Sequence, residues 1–172
     1  DLIIGNNVYA HVPNINDFTE GLKETLAIDG VITLEFPHIM RLIEHSQFDT
    51  VYHEHFSYLS LISVTKIFKC AGLRVFDVEE LSTHGGSLRI FGCHDHSTRS
   101  DTLRVAEVID SEKKMGLTNL GVYKKFQARA EKVKNTLTGF LIEQKRLGKT
   151  VAAFGAAAKG NTILNYAGIR TD

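Results

Sequence analysis

The sequence predicts an α/β fold: two parallel strands, then an antiparallel pair, then a long helix leading into the start of a second α/β unit. Three observations predict it. Leu2-Ile3-Ile4-Gly5 and Val31-Ile32-Thr33-Leu34-Glu35-Phe36 are short apolar runs of the kind shown by strands buried on both faces. A segment of helical period lies between them, and strand, helix, strand with short joints is a βαβ unit with a right-handed crossover. Farther on, Leu120, Tyr123, Phe126, Ala130, Val133, Leu137, Phe140 and Leu141 recur at spacings of three or four, which predicts one long amphipathic helix over residues 118–147.

The elements follow in order. Asn14 or Asn16 can cap a helix that runs to about Ala27, with Phe18, Leu22, Thr25 and Leu26 inward, and Asp29-Gly30 ends it. Pro37 stops the second strand. Residues 38–48 predict a short helix carrying Met40, Leu42 and Ile43. Ser60 or Ser63 opens the next helix, which Ala71-Gly72 terminates. Leu73–Val78 and Ser87–Gly92 read as strands. The turn Ser82-Thr83-His84-Gly85-Gly86 between them makes an antiparallel pair at the sheet's end. After the long helix and Gly148-Lys149, Thr150–Phe154 reads as a fresh strand, Gly155-Ala156-Ala157-Ala158-Lys159-Gly160 as a turn and Asn161–Ala167 as a helix.

Composition narrows the function classes. Lys+Arg and Asp+Glu balance at 20 each, so no global field favours nucleic acid or an anionic membrane. No apolar run approaches the ~20 residues that span a bilayer. Two cysteines make no disulfide framework, and the expected location is the cytoplasm. The chain opens at Asp1 on a strand-like run and stops just after a helix, so it is expected to be a piece of a longer protein.

Asp49-Thr50-Val51-Tyr52-His53-Glu54-His55-Phe56-Ser57-Tyr58 gathers imidazoles, carboxylates and phenols, the side chains that move protons near neutral pH. The same stretch would also suit a half-buried segment whose histidines bond for structural reasons. Tyr52, Glu54 and His55 make sense as a proton-transfer group: an imidazole base, a carboxylate that can orient it, and a phenol, or a second histidine such as His11, to steady a developing enolate. Asn6 and Asn7 follow the first parallel strand, on the side where open α/β sheets bind ligands. They are the candidate cofactor-binding residues. Gly155 to Thr162 departs from the nucleotide-hydrolase loop, because Lys159 precedes Gly160. It suits either a diphosphate or tight strand–helix packing. Cys93-His94-Asp95-His96 has ligand chemistry but no zinc spacing, so no metal is assigned.

Five motifs together resemble the sugar C-methyltransferases. They are Asn6–Pro13, Glu35–His38, Phe48–Ser60, Leu81–Arg89 and Gly155–Thr162, and they occur in family order over nearly the whole chain. Enzymes of that family use S-adenosylmethionine and act on nucleotide-linked keto-deoxysugars. The resemblance implies that residues 1–99 are the second half of a Rossmann-type methyltransferase domain. It makes residues 100–148 a helical linker and 149–172 the start of a Rossmann-like carboxyl-terminal domain. Zinc is expected only in an amino-terminal domain absent from this chain. The glycine-rich turn that holds most of the methyl donor is absent too, so the chain alone is expected to be inactive.

By motif match the resemblance makes His55 the base that takes the C3 proton of a 4-keto sugar, with Tyr52, Glu54 and His11 positioning the sugar or steadying the enolate. Thr83, His84, Gly85 and Gly86 would shape the substrate side, and Lys159 and Asn161 would meet the nucleotide diphosphate. The expected partner is a nucleotide-linked deoxysugar, with neither nucleic acid nor membrane. The open edge of the first strand could pair with a second copy or lie under the long helix. Two alternatives stand beside this one: a non-catalytic sugar-nucleotide-binding module, and a metal-dependent hydrolase using His53, His55, His94 and His96.

Overall fold

The computed structural model describes residues 1–155 and 158–170. Its strands are β1 (Leu2–Asn6), β2 (Val31–Pro37), β3 (Leu73–Leu81) and β4 (Ser87–His94). Its helices are α1 (Ile15–Thr25), α2 (Ile39–Glu44), α3 (Leu61–Cys70), α4 (Leu103–Met115), α5 (Leu120–Arg146) and α6 (Ala158–Ala167). The four strands form one mixed sheet in the order β1-β2-β4-β3. β1 and β2 are parallel, with Gly5 opposite Leu34 and Asn6 opposite Glu35. β4 runs antiparallel to both β2 and β3. The fold is therefore α/β, a partial Rossmann-type sheet. Because β4 opposes β2, its amino end lies beside the carboxyl ends of β1 and β2, with Ser87 opposite Pro37.

Local signals set the helix starts. The Asn14 side chain accepts from the Asp17 N–H at 3.2 Å and caps α1. Ser60 and Ser63 form a reciprocal capping box on α3. α1 and α3 bury Leu22, Leu61, Val64 and Phe68 against Ile32, Leu34, Phe36, Leu88 and Ile90 of the sheet. Gly92 leaves room for Phe68: a Cβ there would lie 2.4 Å from the ring.

Tyr9 is fully buried at the centre of this core. Its ring meets Phe18, Phe36 and Phe68 at 6.0, 6.1 and 6.3 Å. The Thr19 hydroxyl donates to the Ile15 carbonyl at 2.6 Å, so the Tyr9 hydroxyl donates to Thr19 across the other 2.6 Å contact. Burial pushes the phenol up to about 12. An unfolded tyrosine ionises near pH 10, so this raised group stabilises the fold fully below pH 10 and loses that contribution as pH rises through about 12. The contribution is on the order of 3 kcal/mol. Urea midpoints followed from pH 9 to 12 should fall more steeply for the wild type than for Tyr9→Phe, which has no such proton to lose.

A second cluster holds the later helices. Met40, Leu42 and Ile43 of α2 meet Leu117, with Val122 and Phe126 of α5 against them. Arg129 of α5 caps the exposed carbonyls at the end of α2, donating to Ile43 and Glu44 and to the Ser46 hydroxyl. α6 rests on the turn Phe48–Thr50, with Tyr166 against Phe48 at 5.2 Å between ring centres.

Several expectations are corrected. β1 is the expected open edge strand, but it is not buried on both faces: Ile3 packs against the core while Leu2 and Ile4, on the other face, are 58% and 63% exposed. Thr25 faces out of α1 and Thr19 faces in. The helix expected over 38–48 stops at Glu44, where Ser46 takes a positive φ of 55°. The apolar stripe of α5 is buried only at Ala130, with Leu120 and Phe140 exposed. A helix of 27 residues is ~40 Å long and outreaches the layer it packs on. Thr150–Phe154 is exposed and forms no strand, since no described strand lies beside it. α6 begins at Ala158, so Lys159 and Gly160 are helical rather than part of a turn, while Ala156 and Ala157 of the expected loop lie outside the described residues. No helix among the described residues is long and apolar enough to cross a membrane.

Candidate functional site

The site grows from the carboxyl ends of the two parallel strands. β1 ends at Asn6, and Asn7 turns the chain with φ 54° while its N–H donates to the Glu35 carbonyl at 2.8 Å. The turn Tyr9–His11 then buries Tyr9 and leaves the His11 ring half-buried. The Ala10 carbonyl accepts both the Phe56 and Ser57 N–H groups, at 2.9 and 3.1 Å. Those bonds bring the 52–58 loop onto the first βα turn.

His55 sits at the meeting point. Its ring lies 4.7 Å from that of His11, 4.4 Å from that of Tyr52 and 6.2 Å from that of Tyr58. Its Nδ1 is 2.7 Å from the Thr50 carbonyl oxygen. A carbonyl can only accept, so Nδ1 carries the proton and the neutral ring keeps its lone pair on Nε2. Burial, with the Glu54 charge adding, raises the Tyr52 phenol above its ordinary value, and burial likewise raises Tyr58. Both are neutral donors at pH 7. Glu54 and His53 are exposed.

The turn before β4 lies against the carboxyl end of β2. The Thr83 hydroxyl donates to Glu35 Oε1 at 2.7 Å, and Arg89 reaches Glu35 Oε2 at 2.9 Å from the directly opposite position on β4. The Thr83 bond is the largest cause holding the Glu35 carboxyl below its usual range, against its burial and with Arg89 and His84 adding. His84, Gly85 and Gly86 follow with φ 54°, 80° and 121°. Gly86 donates to the Thr83 carbonyl at 2.9 Å and accepts from the His38 N–H at 3.0 Å. An open depression of about 330 Å³ lies on this turn, lined by Arg41, His45, Glu80 and Ser87 among others.

The fold thus brings Asn6, Asn7, His11, Tyr52, Glu54, His55 and Thr83–Gly86 to one end of the sheet. Lys159 and Asn161 stand on the first turn of α6, and no hydrogen bond or ion pair joins them to the others among the described residues. Asn7 Oδ1 is buried with no partner among the described residues, so Asn7 suits a ligand that offers an N–H or O–H donor. Sequence reasoning includes Glu35, His38, Thr50 and Tyr58 in its motifs but gives none of them a role. A charged residue inside an apolar strand was the available signal for Glu35; Thr50 acts through its backbone, which no side-chain pattern can reveal. His94 is buried and bonds the Leu26 carbonyl at 3.2 Å, and its ring stacks on His96 at 5.3 Å. No group of three or more His, Cys, Asp or Glu among the described residues is placed to hold a metal ion.

A partial Rossmann-type sheet with histidines and phenols converging at its parallel strand ends is the setting in which the comparisons with known proteins fall. The chain belongs to the C-methyltransferase C-terminal domain family, whose model matches residues 82–172, more than half of the sequence. It is also similar to C-methyltransferase NovU of Streptomyces niveus, with 37% identity over 171 residues, or 98% of this chain. The match covers 40% of that relative's length.

Proposed function

We propose that this chain is the part of an S-adenosylmethionine-dependent enzyme that methylates C3 of a nucleotide-linked 4-keto-deoxysugar, and that His55 is its base. The observation that carries the proposal is the Nδ1–H bond to the Thr50 carbonyl, which aims the free lone pair of Nε2 away from the backbone. C3 beside a ketone is acidic enough for an imidazole to deprotonate, because the charge moves onto the carbonyl oxygen. Tyr52 or His11, both in ring contact with His55, would donate to that oxygen. Glu54 would hold a sugar hydroxyl. Thr83–Gly86 would bound the sugar on the opposite side, and Lys159 and Asn161 would meet the diphosphate at the start of α6.

Asn6 and Asn7 would hold the methyl donor, with the unpartnered Asn7 Oδ1 accepting a hydrogen bond from it. S-adenosylmethionine, when bound, supplies the electrophilic methyl group that C3 takes up. The division into 1–99, 100–148 and 149–172 assigns all the candidate groups but Lys159 and Asn161 to the first part. On this proposal the chain alone turns over no sugar, because it spans two fifths of its relative and carries no glycine-rich donor loop.

The test is to incubate the full-length enzyme with a nucleotide-linked 4-keto-6-deoxysugar and methyl-labelled donor. The product should carry one label, at C3. Label at oxygen, or at another carbon, would overturn the assignment.

A further inference from the structure

We infer that His38 and Glu112 form a positioning pair that holds both walls of the candidate site in register. Glu112 lies on α4 and its side chain is 0% exposed, as is that of His38. A carboxylate removed from water is tolerated only when its lone pairs are used. Here Oε1 accepts from His38 Nε2 at 2.7 Å and from the Leu61 N–H at 2.5 Å, and Oε2 accepts from the Ile62 N–H at 2.8 Å. Leu61 and Ile62 are the first two residues of α3, so the carboxylate also meets the positive end of that helix.

The capping box of Ser60 and Ser63 serves the Ser63 N–H, and the carboxylate takes the Leu61 and Ile62 N–H groups that the box leaves over. What the pair adds is a junction between distant segments. The His38 N–H donates to the Gly86 carbonyl at 3.0 Å, which fixes the wall carrying Thr83–Gly86. His38 bridges Leu59, and the Ile39 N–H donates to the Leu59 carbonyl at 3.0 Å. Leu59, Leu61 and Ile62 are the exit of the loop that carries His55, and Tyr58, next to them, touches the His55 ring. One buried pair therefore ties the end of β2, the Gly86 turn, the loop exit and α4. A buried hydrogen-bonded carboxylate adds little net stability, because apolar groups of equal volume often serve as well, so the value of this junction lies in the geometry it holds.

A carboxylate accepts, so His38 donates from Nε2. Glutamine can place an N–H at that position, whereas asparagine is too short to reach it. The catalytic meaning of the pair rests on His55 being the base, so the experiment has two readouts. In the full-length enzyme, imidazole 15N shifts report whether His55 keeps its Nδ1–H tautomer, and deuterium uptake at C3 of the sugar reports proton removal. His38→Asn and Glu112→Gln should lose the fixed tautomer and lower the uptake kcat about 100-fold, with KM moved less than about threefold. His38→Gln should recover to within about fivefold of wild type.

The inference is overturned if His38→Asn keeps both the tautomer and the uptake rate, or if His38→Gln is as impaired as His38→Asn. A wild type that keeps the tautomer but exchanges no C3 proton would instead reject His55 as the base. The tautomer readout then decides for or against the pair on its own.

Discussion

On the proposed function, His55→Ala in the full-length enzyme should abolish deuterium uptake at C3 of the keto sugar, a loss on the order of 10²–10⁴-fold. His53→Ala should leave uptake within about threefold of wild type. The two imidazoles are two residues apart, yet their settings differ. His55 is half-buried, ring-packed by His11 and Tyr52, and held in one tautomer by the Thr50 carbonyl. His53 is exposed, with Tyr52 at 6.4 Å as its ring neighbour. A base contributes most when its proton-accepting atom is aimed before the substrate arrives. Uptake followed by NMR in deuterated buffer checks both variants, and equal losses in the two would reject the distinction.

The largest stability effect belongs to the turn before β4. Gly86→Ala should cost about 2–4 kcal/mol, read as a fall in the urea midpoint. Gly86 has φ 121°, a conformation L side chains avoid, and an added Cβ would lie 2.6 Å from both Cβ and Cγ of Arg41. Cβ atoms near a backbone cannot swing away, so either Arg41 or the turn must move. Gly85→Ala is the control. Its φ is 80°, but its Cβ would meet the far end of the Gln47 side chain, which can rotate aside. That variant should cost about 1 kcal/mol. Comparable midpoints for the two would show that Arg41 gives way freely.

Much of the fold was legible because its signals are local. The apolar runs at 2–5 and 31–36 gave β1 and β2, Ser60 gave the start of α3, and the glycine pair at 85–86 gave the antiparallel turn. Expectations failed where burial depends on a neighbour. The run at 150–154 looks like a buried strand but has no described strand to pair with, and it is exposed. The stripe on α5 is genuine amphipathicity, yet only the part near Ala130 and Phe126 finds a surface. Periodicity reports which face could be buried, not whether anything covers it.

By itself, the sequence determined the α/β class, the helix caps, the turn that needs glycine, and the cluster of proton-moving side chains at 52–58. These depend on backbone sterics and on side-chain chemistry within a few residues. The resemblance named His55 ahead of His53, and only the tertiary structure showed what holds the His55 ring, because Thr50 acts through a carbonyl. Only it joined Glu35 to Thr83, 48 positions apart, and His38 to Glu112, 74 positions apart. A buried charge must find its partners in space, and no spacing along the chain states where they will be.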